Sequence, residues 1–271
     1  MEKEGISYEK VLNDAQELGY AEADPAADVD GLDAADKIAI LSGLAFGGSI
    51  NRENIPTKGI KNIESRDVEY ASELGYKVKL LAVAEKVQKI KKDESSTPLS
   101  IWVQPTLVPL EHPLASIDGV NNAILIEGDP IGEVMFYGPG AGGGATASAV
   151  VADILNIAGI SMVEGPNSSL DPLLAGSSWR NCHLIKQSEI FHKNYLRLKA
   201  KDELGVIGKI GSVFGKHGVS IKSIVQLDAN ETDAEIVVIT HEVDQEKIDC
   251  SLSTIRSMNE IRGVSAQMVC I

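Results

Sequence analysis

The sequence predicts an α+β chain in two parts, a domain with a mixed sheet and helices followed by a smaller ferredoxin-like βαββαβ unit. Three observations predict it. Apolar residues at helical spacing open the chain, then give way from about residue 76 to β-rich runs punctuated by Pro and Gly. A long polar stretch, EGPNSSLDPLLAGSSWRNC, interrupts the pattern. Beyond it the order strand, helix, strand, strand, helix, strand runs to the end.

The elements follow in order. Val11, Leu12, Ala15 and Leu18 recur at helical spacing before Gly19, so residues 8–18 read as a helix. An acidic loop precedes a second helix over 33–46, with Asp30 as its expected cap and Gly47 and Gly48 as its stop. A short helix near 66–74 leads into the strands LLAVAEKV, LSIWVQPTLV, NAILIEG and IGEVMFY. The turn GPGAGGGATA opens a helix over about 145–158. The closing unit is built from NYLRLKA, VIGKIGSVFGKH, SIKSIVQLDA, EIVVITHEV, QEKIDCSLSTIRSMNEI and VSAQMVCI. The expected boundaries are residues 1–175 for the first domain, 176–192 for a linker and 193–271 for the last unit.

A chain of 271 residues, 44% hydrophobic and 24% charged, has the composition of a globular protein with a core. Aromatics at 4% are too few for a base-stacking platform. A net charge of -14 repels phosphate, which argues against nucleic acid and against an anionic membrane surface as partner. A small cationic or zwitterionic ligand suits it better. Cys182, Cys250 and Cys270 are odd in number and lack CxxC spacing, so neither a disulfide framework nor a zinc site is expected, and a cytoplasmic setting fits. The N-terminus has no apolar signal region, and no segment holds the roughly 20 uninterrupted apolar residues of a membrane span. The five histidines show no HxxxH or HExxH spacing, so no metal is assigned.

The densest chemistry lies in GYAEADPAADVDGLDAADK, where Glu22, Asp24, Asp28, Asp30, Asp33 and Asp36 precede Lys37. Calcium is the first candidate, because DVDG resembles the middle of an EF-hand loop. Aligning Asp28, Asp30 and Gly31 in that way puts Ala26 at the first ligand position and Lys37 where a bidentate Glu is required, so calcium fails. An exposed salt bridge is the second, since Asp33 and Lys37 lie four apart on a helix. The same face continues to Ile40 and Leu44, which predicts that the pair sits at the open end of a cleft wall. Carboxylates around Lys37 would keep its amine protonated, making it a proton donor rather than a resting base or Schiff-base nucleophile. Carboxylates left over could hold the ammonium of an amino-acid substrate.

The pattern A-x3-G-Y-A-E-x-D-P-x2-D-V-x-G-x-D-x3-K, from Ala15 to Lys37, resembles the signature of the homoserine dehydrogenase family. The likeness continues through YKVKLLAVAEK, QPTLVPLEHPLASIDGVNNAILIEGD and YGPGAGGGATASAVVADI, and so covers nearly all of residues 1–175. It implies a homoserine dehydrogenase-like catalytic domain that interconverts L-aspartate 4-semialdehyde and L-homoserine with NADP or NAD, in threonine, methionine and isoleucine biosynthesis. By position, Lys37 would donate the proton to the nascent alkoxide, with Asp33 as its orienting partner. Glu22 would contact substrate, with Asp28 in support.

Gly138, Gly140 and Gly143 formally spell GxGxxG, and Glu164 follows about twenty residues on. No run of further βαβ crossovers follows, so as a dinucleotide fingerprint the turn is a decoy. The resemblance implies another use, closing over the cofactor near its reactive end, which makes Gly138, Gly140, Ala141, Gly142 and Thr146 cofactor-side candidates. Gly144 and Ala145 stand where the family usually has Pro before the Thr. A plain tight turn remains the alternative. The family's dinucleotide-binding domain has no counterpart in the sequence, and from this the isolated chain is expected to show no nicotinamide-dependent turnover of homoserine.

Residues 195–271 resemble an ACT domain, most clearly in LRLKAKDELGVIGKIGSVFGKHGVSIKSIVQ, with Leu204 where the family often has Pro. The resemblance implies pairing through sheets into a homodimer or larger assembly, and an amino-acid effector, L-threonine, near the turn from Asp202 to Gly205. A purely dimerising role, and a non-catalytic sensing or assembly protein that retains the lysine signature, are the competing expectations.

Overall fold

The computed structural model describes residues 6, 8–17, 24–87, 96–140, 142–164, 181–229 and 233–271. Its helices are α1 (Tyr8–Glu17), α2 (Ala26–Val29), α3 (Leu32–Phe46), α4 (Ser65–Glu73), α5 (Gly143–Glu164), α6 (Val206–Lys216) and α7 (Gln245–Arg256). Its strands are β1 (Tyr76–Lys86), β2 (Thr97–Pro109), β3 (Asn121–Gly128), β4 (Gly132–Pro139), β5 (Cys182–Leu184), β6 (Phe191–Lys201), β7 (Ile221–Ala229), β8 (Asp233–Thr240), β9 (Val243–Asp244) and β10 (Ile261–Cys270).

One sheet joins the two ends of the chain in the order β1-β2-β10-β6-β8-β7. Its C-terminal part, β10-β6-β8-β7 with α6 and α7 as crossovers, is the ferredoxin-like order expected from the sequence. Alternation along β6 separates two cores. Leu196, Leu198 and Ala200 face α6 and α7, meeting Ile210, Phe214, Ile248 and Leu252. Tyr195, from the opposite face, packs with Val237, Met268 and Cys270 against Tyr70 and Ala71 of α4. That helix thus covers the back of the C-terminal sheet.

β1 and β2 form a long antiparallel pair running from Tyr76↔Pro109 to Lys86↔Leu99. On the other edge of β2, β10 pairs in parallel only through Val269↔Thr106 and Cys270↔Leu107. The far end of the same edge takes β5, from Thr97↔Cys182 to Leu99↔Leu184, within the stretch the sequence suggested as linker. One face of β1 and β2 carries α3, whose small Ala35 and Ala39 let the helix approach Leu99, Ile101 and Val103. The other face holds Trp102 and Val269 with Ile190.

Several bounds differ from expectation. EIVVITHEV is not one strand: β8 stops at Thr240, and Val243–Asp244 resumes the antiparallel pairing with the start of β6 one residue out of register. Asp244 then caps α7, its carboxylate accepting from the Lys247 N–H at 2.9 Å. The helix after the glycine turn is 22 residues long rather than 14. Its stretch Gly143–Met162 has a mean hydropathy of 1.5, long and apolar enough to cross a membrane, although Asp153 and Asn156 interrupt it. Val150, Ile154, Leu155 and Ile157 on α5 are exposed, as are Ile124, Met135, Phe136 and Tyr137 on the β3–β4 hairpin.

Candidate active site

The lysine-bearing helix is set by its entry turn. Gly31 sits at φ 78, a left-handed conformation that glycine adopts freely, and a side chain there would also meet Val103 and Thr57. No side chain caps α3, which corrects the expected role of Asp30. Asp30 closes α2 instead, and its carboxylate accepts from Lys61 Nζ at 2.8 Å. That hydrogen bond raises the Lys61 pKa. Asp24 accepts from the Ala26 N–H at 3.1 Å, so the acidic loop spends part of its charge on ordering its own backbone. At the far end of α3, Gly47 at φ 79 forms the expected stop.

Lys37 Nζ donates to Asp33 Oδ2 at 2.6 Å across one helical turn. The pair stands open to solvent: the two side chains are 60% and 45% exposed, and Ile40 and Leu44, the expected cleft wall further along the same face, are also exposed. The reason is rotational. Small Ala35, Ala39 and Ser42 take the buried side of α3, which turns Lys37, Ile40 and Leu44 outward. Asp28 lies exposed on α2, and Asp36 pairs with Arg52 Nε at 2.9 Å. Glu22 lies outside the described residues.

Gly138 is the penultimate residue of β4, Gly140 and Gly142 belong to the turn, and Thr146 lies in the first turn of α5 with its N–H on the Gly142 carbonyl at 3.1 Å. Ala141 lies outside the described residues. Gly142 has φ 115, and a Cβ at Gly138, Gly142 or Gly143 would meet nothing within 4 Å, so the turn presents bare backbone to open space. Gly140 is different. Its N–H bonds to the Val120 carbonyl at 3.0 Å, and a Cβ would fall 1.8 Å from Asn122 Nδ2. Asn122, in the motif GVNNA, therefore packs directly against the backbone of the turn at Gly140, a contact between distant residues that no local pattern in the sequence signals. Glu164, which completed the formal fingerprint, lies at the far end of α5, 21 residues from Gly143.

At the C-terminal turn, Gly205 has φ 85 and begins α6, while Asp202 accepts from Gln226 Nε2 at 3.3 Å. Leu204 between them is exposed, so nothing in the fold demands the Pro found elsewhere. Among the described residues, no three of His, Cys, Asp and Glu gather to hold a metal ion.

These features define a two-part class: an α+β domain with an outward lysine–carboxylate pair and a bare glycine turn, joined in one sheet to an ACT-type βαββαβ unit. Residues 1–155 match homoserine dehydrogenase and residues 194–253 match the ACT domain. The chain belongs to the homoserine dehydrogenase family. It is 46% identical over 264 residues to the homoserine dehydrogenase of Synechocystis sp., covering 97% of this chain and 60% of that protein. The Neisseria gonorrhoeae enzyme is 40% identical over 262 residues, 96% of this chain and 58% of its own length. The crystal structure of a homoserine dehydrogenase from Thiobacillus denitrificans superposes with a TM-score of 0.88 at 33% identity, over all of this chain and 60% of that one. The chain therefore spans about 60% of the length of the relatives it matches.

Proposed function

We propose that this chain carries the substrate side of a homoserine dehydrogenase, with Lys37 as the proton donor in the interconversion of L-aspartate 4-semialdehyde and L-homoserine. The observation that carries the reading is the Lys37–Asp33 pair, held at 2.6 Å on a helix clamped at Gly31 and packed through Ala35 and Ala39. In the reducing direction the Nζ ammonium gives its proton to the carbonyl oxygen of the semialdehyde as negative charge develops there. Asp33 holds the ammonium in one rotamer and compensates its charge. Glu22 and Asp28 hold the substrate ammonium. The exposure of the pair suits a group that completes its surroundings only when substrate and cofactor are in place.

A nicotinamide nucleotide, NADP or NAD, supplies the hydride. The turn of Gly138, Gly140 and Gly142 would take its reactive end, since the bare backbone of Gly138 and Gly142 allows close approach, Gly140 ties the turn to Val120, and the N–H groups opening α5 favour a polar or anionic neighbour. Thr146 adds a hydroxyl in that first turn. On this reading residues 1–175 form the catalytic part, 176–192 a linker and 193–271 the regulatory unit, in a cytoplasmic homo-oligomer. The region of Asp202 and Gly205 would face an amino-acid effector such as L-threonine.

The test is oxidation of L-homoserine, followed by the absorbance of reduced nicotinamide, in the polypeptide that carries this sequence. Lys37→Met is expected to lower kcat by about 100-fold or more, the range for loss of a general acid. Because the side chain is exposed, stability should stay within about 0.5 kcal/mol of the parent. Equal kcat in variant and parent would remove Lys37 from the mechanism.

A further inference from the structure

The C-terminal sheet meets α4 through a buried charge cluster that the proposed chemistry does not use. Arg197 stands on β6 with its side chain 2% exposed, and Asp67, in the first turn of α4, is fully buried. The guanidinium grips the carboxylate twice, Nε to Oδ1 at 2.7 Å and Nη2 to Oδ2 at 3.1 Å. Nη2 also reaches Glu64 Oε2 at 2.8 Å, and Nη1 reaches Glu235 Oε1 at 3.2 Å. Glu64 and Asp67 are the two halves of the capping box that starts α4. One arginine thus fixes the beginning of that helix. Arg197 lies in the stretch matched by the ACT domain, and both acidic residues lie in the stretch matched by homoserine dehydrogenase.

The segment entering α4 in turn holds the entry of the lysine helix. The Ile60 N–H donates to the Val29 carbonyl at 2.8 Å, and Lys61 Nζ to Asp30 Oδ2 at 2.8 Å. Gly59 lies so close that a Cβ would come within 2.1 Å of the same Val29 oxygen. Val29 and Asp30 immediately precede Gly31 and α3. A buried ion pair adds little net stability over an apolar contact of the same volume. A forked guanidinium–carboxylate pair does add one defined orientation.

We propose that Arg197 is a positioning residue for the Lys37 helix, anchoring the start of α4 and, through residues 59–61, the turn from which α3 begins. The proposal rests on the reading of Lys37 as proton donor for its consequence in catalysis, and on geometry alone for its consequence in structure. Arg197→Lys keeps the charge and loses the fork. Glu64→Gln, at a half-exposed partner, gives a milder perturbation that retains the Asp67 pair and serves where Arg197→Lys does not fold.

Residue-resolved hydrogen exchange and steady-state kinetics test it together, in the polypeptide carrying this sequence. In Arg197→Lys the amides of Ile60 and Ala35 should exchange about tenfold faster, with a smaller rise in Glu64→Gln, while α6 and α7 stay within about twofold. For L-homoserine oxidation kcat should fall about tenfold with KM near the parent value, as misplacement of a proton donor predicts. A uniform rise in exchange across the protein, or no change at Ile60 and Ala35, overturns the positioning role. Local exchange as expected in an otherwise folded parent that does not oxidise homoserine supports the positioning and overturns the reading of Lys37.

Discussion

Replacing Asp67 by Asn leaves the volume of the side chain nearly unchanged and removes one charge from a fully buried position. Asp67 is the fully buried member of the three carboxylates around Arg197; Glu64 is 60% exposed and Glu235 14%. It also accepts from the Tyr195 hydroxyl at 3.3 Å and from the Glu64 N–H at 3.1 Å. An amide in its place offers one acceptor oxygen and turns an N–H group toward another donor. Removing one partner of a buried pair costs about 3–5 kcal/mol, and the two remaining carboxylates place this case at the lower end, about 3 kcal/mol. Urea unfolding followed by far-ultraviolet circular dichroism measures it. With an m value of about 3 kcal/mol per molar, the midpoint should fall by about 1 M at constant slope. The double variant Arg197→Met with Asp67→Leu, which removes the pair together, should lie closer to the parent than Asp67→Asn does. A midpoint shift below about 0.3 M for Asp67→Asn would refute the account of Arg197 as a buried charge dependent on this carboxylate.

Three further outcomes are expected. Burial lowers the His192 pKa from its ordinary 6.5 to about 4, against the pull of Glu242, with the ring edge-on to Trp102 at 5.2 Å. As pH falls the unfolded chain takes up the proton first, so stability present above pH 6.5 is lost between 6.5 and about 4, on the order of 3 kcal/mol; His192→Gln should flatten that slope in unfolding followed by tryptophan fluorescence, and an unchanged slope counts against it. Burial pushes the Cys270 thiol up to about 12, so alkylation at neutral pH read by mass spectrometry should modify exposed Cys250 and spare Cys270 until the chain unfolds. A thiolate favoured only in the unfolded chain also makes that stability fade as pH rises from 9.0 toward 12. Gly59→Ala drives a Cβ into the backbone of Val29 and Asp30, where neither can yield without moving the lysine helix, and should cost about 2–3 kcal/mol in thermal unfolding. The control Gly211→Ala, on α6 with open space around it, should be neutral or stabilising by about 0.4–1 kcal/mol.

Much of this protein is written in local pattern. The C-terminal βαββαβ unit was legible because β-rich runs and segments of helical periodicity succeed one another in that order, separated by turn residues, so no distant residue is needed to recognise it. The Lys37–Asp33 pair was legible for the same reason: a separation of four on a helix places the two groups together whatever the rest of the chain does. Glu22 and Ala141 were named from the sequence and lie outside the described residues.

What the sequence alone left undecided depends on which face is covered, and by what. LRLKAK alternates so that Leu196 and Leu198 face the helices, and the pattern by itself reads Arg197 as solvent-facing; only the docking of α4 from more than a hundred residues earlier in the chain buries it against Asp67. On α3 the packed side is the one with the small residues: Ala35 and Ala39 meet the sheet, while Ile40 and Leu44, read from the sequence as a cleft wall beside Lys37, point outward. The cap of α3 passed from Asp30 to the conformation of Gly31 once Lys61 took the carboxylate. Periodicity determines which residues share a face, since that follows from the backbone repeat. Which face becomes interior follows from long-range contacts, and those exist only in the folded chain.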